Sequence, residues 1–131
     1  MCRNMNKIFG FLGEIKHKYD DVVMNMFTKV FNWLPLAAVI NSKVFAVHGG
    51  ISTQEGGMTL AQVDAVVRNK EPSDAGGLMS DLLWSDPQPR PGRAPSKRGV
   101  GFSFGPDYTE AFLSANNLDL LIRSHEMQEE G

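Results

Sequence analysis

An apolar strand pattern that ends in a histidine occurs twice in this chain, and it constrains the fold more than any other feature. The first run, 43–50, reads KVFAVHGG, so β-branched and aromatic residues lead into His48 and two glycines. The second run, 118–126, reads LDLLIRSHE and delivers His125. Functional side chains in open α/β sheets collect at the carboxyl ends of strands. The pattern therefore predicts two strands that bring two imidazoles to a shared metal site.

Helical and extended patterns alternate along the rest of the chain. Predicted helices cover 14–33, a segment that opens at Thr59 with a capping box to Gln62, and a segment from Pro106 with Asp107 as N-cap. Between them we predict a buried strand over 44–47, loops over 68–80 and 88–98, a short apolar element over 81–87, and a strand over 99–104. This order predicts a layered α/β or α+β core.

Size and composition restrict the function classes. The chain has 131 residues, a net charge of −2 and one cysteine, Cys2. These values argue against a nucleic-acid binder, a membrane-surface protein or a disulfide framework. We find no signal peptide and no apolar run long enough to span a bilayer, so we expect a cytoplasmic location. Because the chain stops soon after its last predicted strand, we interpret it as part of a longer domain.

Four side chains are candidates for chemistry, and each has a simpler alternative. His48 and His125 are predicted metal ligands, or else hydrogen-bonded histidines in turns. Arg98 lies in the glycine-containing segment SKRGVG, where a guanidinium suits phosphate binding, although solvated loop charges are common. Asp86 either orients a cation or a metal-bound water, or begins a turn together with Pro87.

Four ordered segments resemble the phosphoprotein phosphatase family of metal-dependent serine/threonine phosphatases. They are FNWLPLAAVINSKVFAVHGGIS, DLLWSDPQ, SKRGVGFSFGPD and NNLDLLIRSHE. The stretches SDPQPRPGRAPSKRGVGFSFGPD and RSHEMQEEG are most similar to the type-five branch, in which a tetratricopeptide-repeat domain precedes the catalytic domain. Ile51-Ser52-Thr53 departs from that branch, which usually has a bulkier residue there. The resemblance covers nearly the whole chain.

The resemblance implies a fold and a set of roles. It implies a calcineurin-like layered β-sandwich flanked by helices, with residues 1–131 forming a partial catalytic domain. His48 and His125 would be ligands of a dinuclear centre of manganese, iron or zinc, and Arg98 would contact the substrate phosphate. The expected reaction is hydrolysis of phosphoserine and phosphothreonine esters. Expected partners are phosphoprotein substrates and, in a full-length protein, a tetratricopeptide-repeat domain with chaperone partners; the expected location extends to the nucleus.

Several family motifs have no counterpart in this sequence. GDxHG, GDxxDRG and GNHE are absent, as are the last histidine ligand and the SAPNYC loop. They supply the other metal ligands, a second phosphate-binding arginine and the histidine that acts as general acid. We therefore expect no turnover from this polypeptide alone. The alternatives are a non-catalytic truncated product that acts by binding partners, and a small-molecule metallophosphoesterase, which LLWSDPQ and SKRG disfavour.

Overall fold

A computed structural model describes residues 3–72 and 76–129. The chain divides into two compact units, Met1–Pro35 with Val67–Pro72, and Leu36–Val66 with Ser73–Gly131. Within the described ranges there are six helices and two three-stranded sheets, which confirms the predicted mixed α/β class. No helix in those ranges is long and apolar enough to cross a membrane.

The first unit is helical. Its helices are α1 (Arg3–Ile8), α2 (Phe11–Lys18) and α3 (Asp21–Trp33). The prediction of one helix over 14–33 is wrong, because the chain breaks at Tyr19 and Asp20. The carboxylate of Asp20 accepts a hydrogen bond from the backbone N–H of Val23 at 3.0 Å and caps α3. An N-cap of this kind satisfies an otherwise unpaired helical N–H, so it favours the beginning of a new helix at this point over one continuous helix.

The second unit contains both sheets. In the first sheet, β1 (Ala37–Ile40) runs antiparallel to β2 (Val44–Val47), and β2 runs parallel to β6 (Leu120–Arg123). The predictions of β2 and of a strand before His125 are confirmed. However, β2 is not fully buried, since Val44 and Ala46 are only partly covered. The other face carries Phe45 and Val47 into the core.

The second sheet is small and holds the loop that contains Arg98. Its order is β3 (Asp86–Pro87), β5 (Phe102–Phe104) and β4 (Arg93–Pro95). The strand predicted over 99–104 is confirmed in its last three residues. The prediction that 88–98 is entirely loop is wrong, because Arg93–Pro95 pairs antiparallel with β5.

Three short helices complete the second unit: α4 (Leu60–Asp64), α5 (Leu78–Trp84) and α6 (Pro106–Ala115). The predicted capping box of α4 is present, with Thr59 and Gln62 bonded reciprocally. Helix α5 begins inside the segment predicted as loop. Residue Gly105, rather than Asp107, is the N-cap of α6. The carboxylate of Asp107 instead accepts the backbone N–H of Gly92 at 2.9 Å from each oxygen.

One apolar core joins the two sheets and the helices of this unit. Phe45 of β2 meets Phe112 of α6 edge-on, with ring centroids 5.0 Å apart. Phe104 of β5 is 1% exposed and belongs to the same cluster. The buried members are Phe45, Val47, Ile51, Met58, Leu82, Phe104, Phe112 and Leu118. This core fixes β2, β5 and β6 relative to one another, and therefore fixes the loops that follow them.

Candidate active site

Parallel pairing of β2 and β6 brings the two histidines together. Val47 is the register partner of Arg123, so the two strands end at the same edge of the sheet. The backbone N–H of Ser124 donates to the carbonyl of His48 at 3.2 Å and extends the pairing by one step. The rings of His48 and His125 lie 4.8 Å apart between centroids, with an interplanar angle of 48°. The sequence therefore predicted this proximity correctly.

His48 is held by a residue that the sequence did not single out. The hydroxyl oxygen of Ser124 lies 3.0 Å from Nδ1 of His48, within hydrogen-bonding distance. Burial lowers the pKa of His48, and the positive charge of Arg123 lowers it further. A lowered pKa keeps the imidazole neutral near pH 7, which is the form that binds metals. With Nδ1 engaged, Nε2 is the nitrogen left for a metal.

His125 occupies a strained backbone conformation. Its φ is 72°, in the left-handed region that few residues other than glycine adopt. Its Nδ1 lies 3.1 Å from Oδ1 of Asp86, but without hydrogen-bonding geometry. Burial lowers its pKa and the charge of Arg98 adds to that effect, whereas Asp86 opposes it. Strain of this kind persists where surrounding contacts impose it, and it concentrates at functional sites.

Asp86 connects three cationic or potentially cationic side chains. Its Oδ2 accepts from Nε of Arg98 at 2.6 Å, and its Oδ1 accepts from Nη2 of Arg123 at 2.6 Å. Burial acts to raise the pKa of Asp86, but the hydrogen bonds from the arginines and the charge of His125 outweigh it, so the net shift is downward. Of the two interpretations of Asp86, the structure favours the one in which it orients cations.

Arg98 is placed beside the histidines. Its Nη2 donates to the backbone carbonyl of His125 at 3.3 Å, while Asp86 holds its Nε. About one third of the side chain remains exposed. A guanidinium that is anchored on one side and open on the other can receive an oxyanion through its remaining donors. The structure therefore brings together all four candidate side chains, His48, His125, Arg98 and Asp86.

Arg123 was not among the candidates drawn from the sequence, and the structure places it beside them. Its Nε donates to the carbonyl of Gly49 at 2.5 Å, and its Nη1 donates to Glu126 at 2.6 Å. The side chain is only 15% exposed. A charged residue at the last position of an otherwise apolar strand was the available signal. Arg123 links β6, the turn after His48 and Asp86, so it positions the site rather than facing solvent.

The two histidines are suitable ligands for a divalent metal, but the described residues do not include enough ligands for a complete metal site. Two neighbouring imidazoles with lowered pKa values suit a metal of the transition series or zinc. However, among residues 3–72 and 76–129 no group of three or more His, Cys, Asp or Glu side chains could hold such an ion. Zinc in proteins usually has four ligands, of which a catalytic site supplies three from the protein. The remaining donors of a complete centre would come from other polypeptide.

Comparison with known proteins identifies the class. Residues 6–129 match the calcineurin-like phosphoesterase family, so the chain belongs to that family. A protein serine/threonine phosphatase from Saccharomyces cerevisiae has the same fold, with a TM-score of 0.89 and 42% identity over 95% of this chain and 38% of its own.

Within the family, the similar relatives belong to the type-five branch, as the sequence predicted. Serine/threonine-protein phosphatase 5 of Arabidopsis thaliana is 56% identical over 129 residues, 98% of this chain and 24% of the relative. The human protein of that name is 55% identical over 128 residues, 98% of this chain and 25% of the relative. This chain thus spans about a quarter of the length of these relatives.

Proposed function

We propose that this chain forms one side of the active site of a metal-dependent protein serine/threonine phosphatase. The observation that carries the proposal is the convergence of His48, His125 and Arg98 at one edge of the β2–β6 pair. Membership in the calcineurin-like phosphoesterase family and the names of the relatives support it. Phosphoserine and phosphothreonine esters of proteins are the proposed substrates.

The three side chains have distinct proposed roles. His48 and His125 each offer one imidazole nitrogen to a divalent ion, and we propose manganese, iron or zinc as that ion. When bound, a pair of such ions would supply an activated water and charge stabilisation for the attacking and departing oxygens. Arg98 binds two oxygens of the substrate phosphate and is aimed by Asp86. Asp86 and Arg123 hold these groups in place and do not bind the phosphate.

The wider setting is also proposed. Relatives four times as long leave room for the remaining ligands, and we propose that a complete enzyme contains them in other segments. We further propose a tetratricopeptide-repeat domain with chaperone partners in the full-length protein, and a cytoplasmic or nuclear location. These proposals rest on the type-five resemblance of the sequence.

A chimera tests the proposed function. The matched segment of human serine/threonine-protein phosphatase 5 is replaced by the corresponding residues of this chain, and hydrolysis of a phosphoserine peptide is measured with manganese present. We expect turnover, and we expect His48→Ala and His125→Ala each to lower kcat by at least about 10²-fold, because each removes a metal donor.

His17→Ala serves as the matched control, since His17 lies on the exposed surface of α2. Manganese affinity, measured by calorimetry, is a second readout that should fall with His48→Ala and not with His17→Ala. A chimera that folds but hydrolyses no phosphopeptide would overturn the proposal. So would a His48→Ala variant with unchanged metal affinity and turnover.

A further inference from the structure

A cavity of about 540 Å³ lies beside Asp86, on the side of the second sheet and the loop that precedes Arg98. Its volume falls within the range of ordinary ligand-binding clefts. The polar residues that line it are Asp86, Gln88, Arg90, Lys97, Ser103 and Glu126. Asp86 belongs to both the cavity and the candidate active site, so the cavity adjoins that site.

Within the described part of the chain, the acidic side chains of this cavity have ion-pair partners, and two of its basic side chains do not. The carboxylate of Asp86 already accepts hydrogen bonds from Arg98 and Arg123, and Glu126 pairs with Arg123 at 2.6 Å. In contrast, the side chains of Arg90 and Lys97 have no hydrogen bond or ion pair with any residue that the structure describes. Among the described residues, the cavity therefore presents two cations without a partner, Arg90 and Lys97, while its acidic groups pair with Arg98 and Arg123.

The backbone that carries these cations is well anchored. The side-chain Nε2 of Gln88 donates to the backbone carbonyls of Arg90 and Gly92 at 3.1 and 3.2 Å. The N–H of Gly92 is bound by Asp107, and its carbonyl accepts from Gly105 at 2.8 Å. These bonds fix the backbone of the Arg90 loop against the start of α6, so only the side chain of Arg90 has to be ordered when a ligand binds.

We propose that this cavity binds a carboxylate side chain, Asp or Glu, that lies close to the phosphorylated residue of the substrate. The inference rests on the proposed phosphatase function and assigns it a substrate preference. Lys97 immediately precedes Arg98, the proposed phosphate contact. Because Lys97 is the chain neighbour of Arg98 and an extended peptide advances about 3.3 Å per residue, we assign this carboxylate to one of the three positions on either side of the phosphoresidue.

The size of the effect follows from the exposure of the cations. Arg90 and Lys97 are exposed, and exposed ion pairs contribute little individually and are weakened by salt. We expect a Glu at the favoured position to raise kcat/KM by about threefold to tenfold at low ionic strength relative to Gln. The change should appear mainly in KM, since the carboxylate binds equally in the ground and transition states.

The test uses the chimera described above and a panel of phosphoserine peptides. Each peptide carries a single Glu, Gln or Lys at one of the three positions on either side of the phosphoserine. We expect one or two positions at which Glu is preferred over Gln and Lys. Lys97→Glu and Arg90→Glu should each reverse that preference, so that the Lys peptide becomes the better substrate.

A reversed preference cannot arise from misfolding, because a misfolded variant loses activity on every peptide. Lys29→Glu is the matched control: Lys29 is exposed on α3, and this change should leave the Glu preference intact. If the unsubstituted chimera hydrolyses no peptide, the proposed function fails and the cavity assignment fails with it. If it hydrolyses the Glu, Gln and Lys peptides equally at all positions, or if both reversals leave the preference unchanged, only the cavity assignment is overturned.

Discussion

The carboxylate of Asp86 determines where the charges of the site point. One oxygen receives Arg98 and the other receives Arg123, both at 2.6 Å, and the carboxylate is only 15% exposed. Charge-assisted hydrogen bonds of this length are strong, and the geometry of a guanidinium adds orientation to attraction. Removing the negative charge would leave two partly buried guanidinium groups without their shared carboxylate. Asp86 is therefore a positioning residue for Arg98.

Replacing this carboxylate tests that role at the scale of one residue. In the chimera, Asp86→Asn keeps the size of the side chain but removes its charge, so Arg98 loses its anchor. We expect kcat/KM for a phosphopeptide to fall by about 10- to 100-fold, the usual cost of losing a group that orients a functional side chain. Asp119→Asn is the matched control, because Asp119 forms an exposed pair with Lys43 and should change the value less than about twofold. Equal activity of the two variants would contradict the role of Asp86.

The turn after β2 is the element on which the site depends most. A Cβ atom on Gly49 would lie 2.5 Å from the carbonyl carbon of Leu83 and 2.7 Å from the nitrogen of Trp84. These are backbone atoms, so they cannot move aside as a flexible side chain would. The absence of a side chain at Gly49 lets the end of α5 pack directly under the turn that carries His48.

Gly49→Ala is therefore expected to destabilise the fold by about 1–3 kcal/mol, the usual cost of overpacking. The same change at Gly13 should have the opposite sign. Gly13 lies within α2, and a Cβ atom added there would have no neighbouring atom within 4 Å in the part of the chain that the structure describes. Alanine is the better helix former, so Gly13→Ala should stabilise by about 0.5–1 kcal/mol. Thermal unfolding of the two chimera variants measures both values, and a stabilising Gly49→Ala would refute the packing argument.

Elements with a strong local signal could be predicted from the sequence, and those that depend on distant partners could not. The apolar run over 44–47 and the capping box of Thr59 are local features, and both were predicted correctly. Strand β4 was missed because its three residues, Arg93–Pro95, gain strand geometry only by pairing with β5. Asp107 looked like an N-cap, but its carboxylate is used by the loop at Gly92.

The residues of the candidate site show the same contrast between local signals and long-range pairing. The two histidines were chosen as candidates because each follows a predicted strand, and Arg98 because of its glycine-containing segment. Arg123 and Ser124 were missed, since their importance depends on the parallel pairing of β2 with β6 across more than 70 residues of sequence. Long-range register is not visible in a single sequence without an assumed fold.

At the scale of the whole chain, one face of the first sheet is unusually apolar. The residues that point away from the core along the register pairs are Ala38, Ile40, Val44, Ala46, Leu120 and Ile122. Ile40, Leu120 and Ile122 are each 49% exposed. Contiguous apolar surface on a sheet marks an interaction site or a tendency to aggregate. In addition, the outer edges of β1 and β6 are unpaired within the described strands, which adds a second route to association.

We expect the 131-residue polypeptide, produced alone, to show no measurable phosphatase turnover, because the metal site that its described residues form is incomplete. The described residues supply two imidazoles but no complete metal site, and loss of a general acid alone typically costs about 10²–10⁴ in rate. The measurement is hydrolysis of a phosphopeptide with manganese present, compared with the His48→Ala variant, together with manganese calorimetry. Clear turnover above the variant would contradict the expectation and show that the chain forms a working centre by itself. A stable chain that binds no manganese would instead favour the non-catalytic, partner-binding alternative.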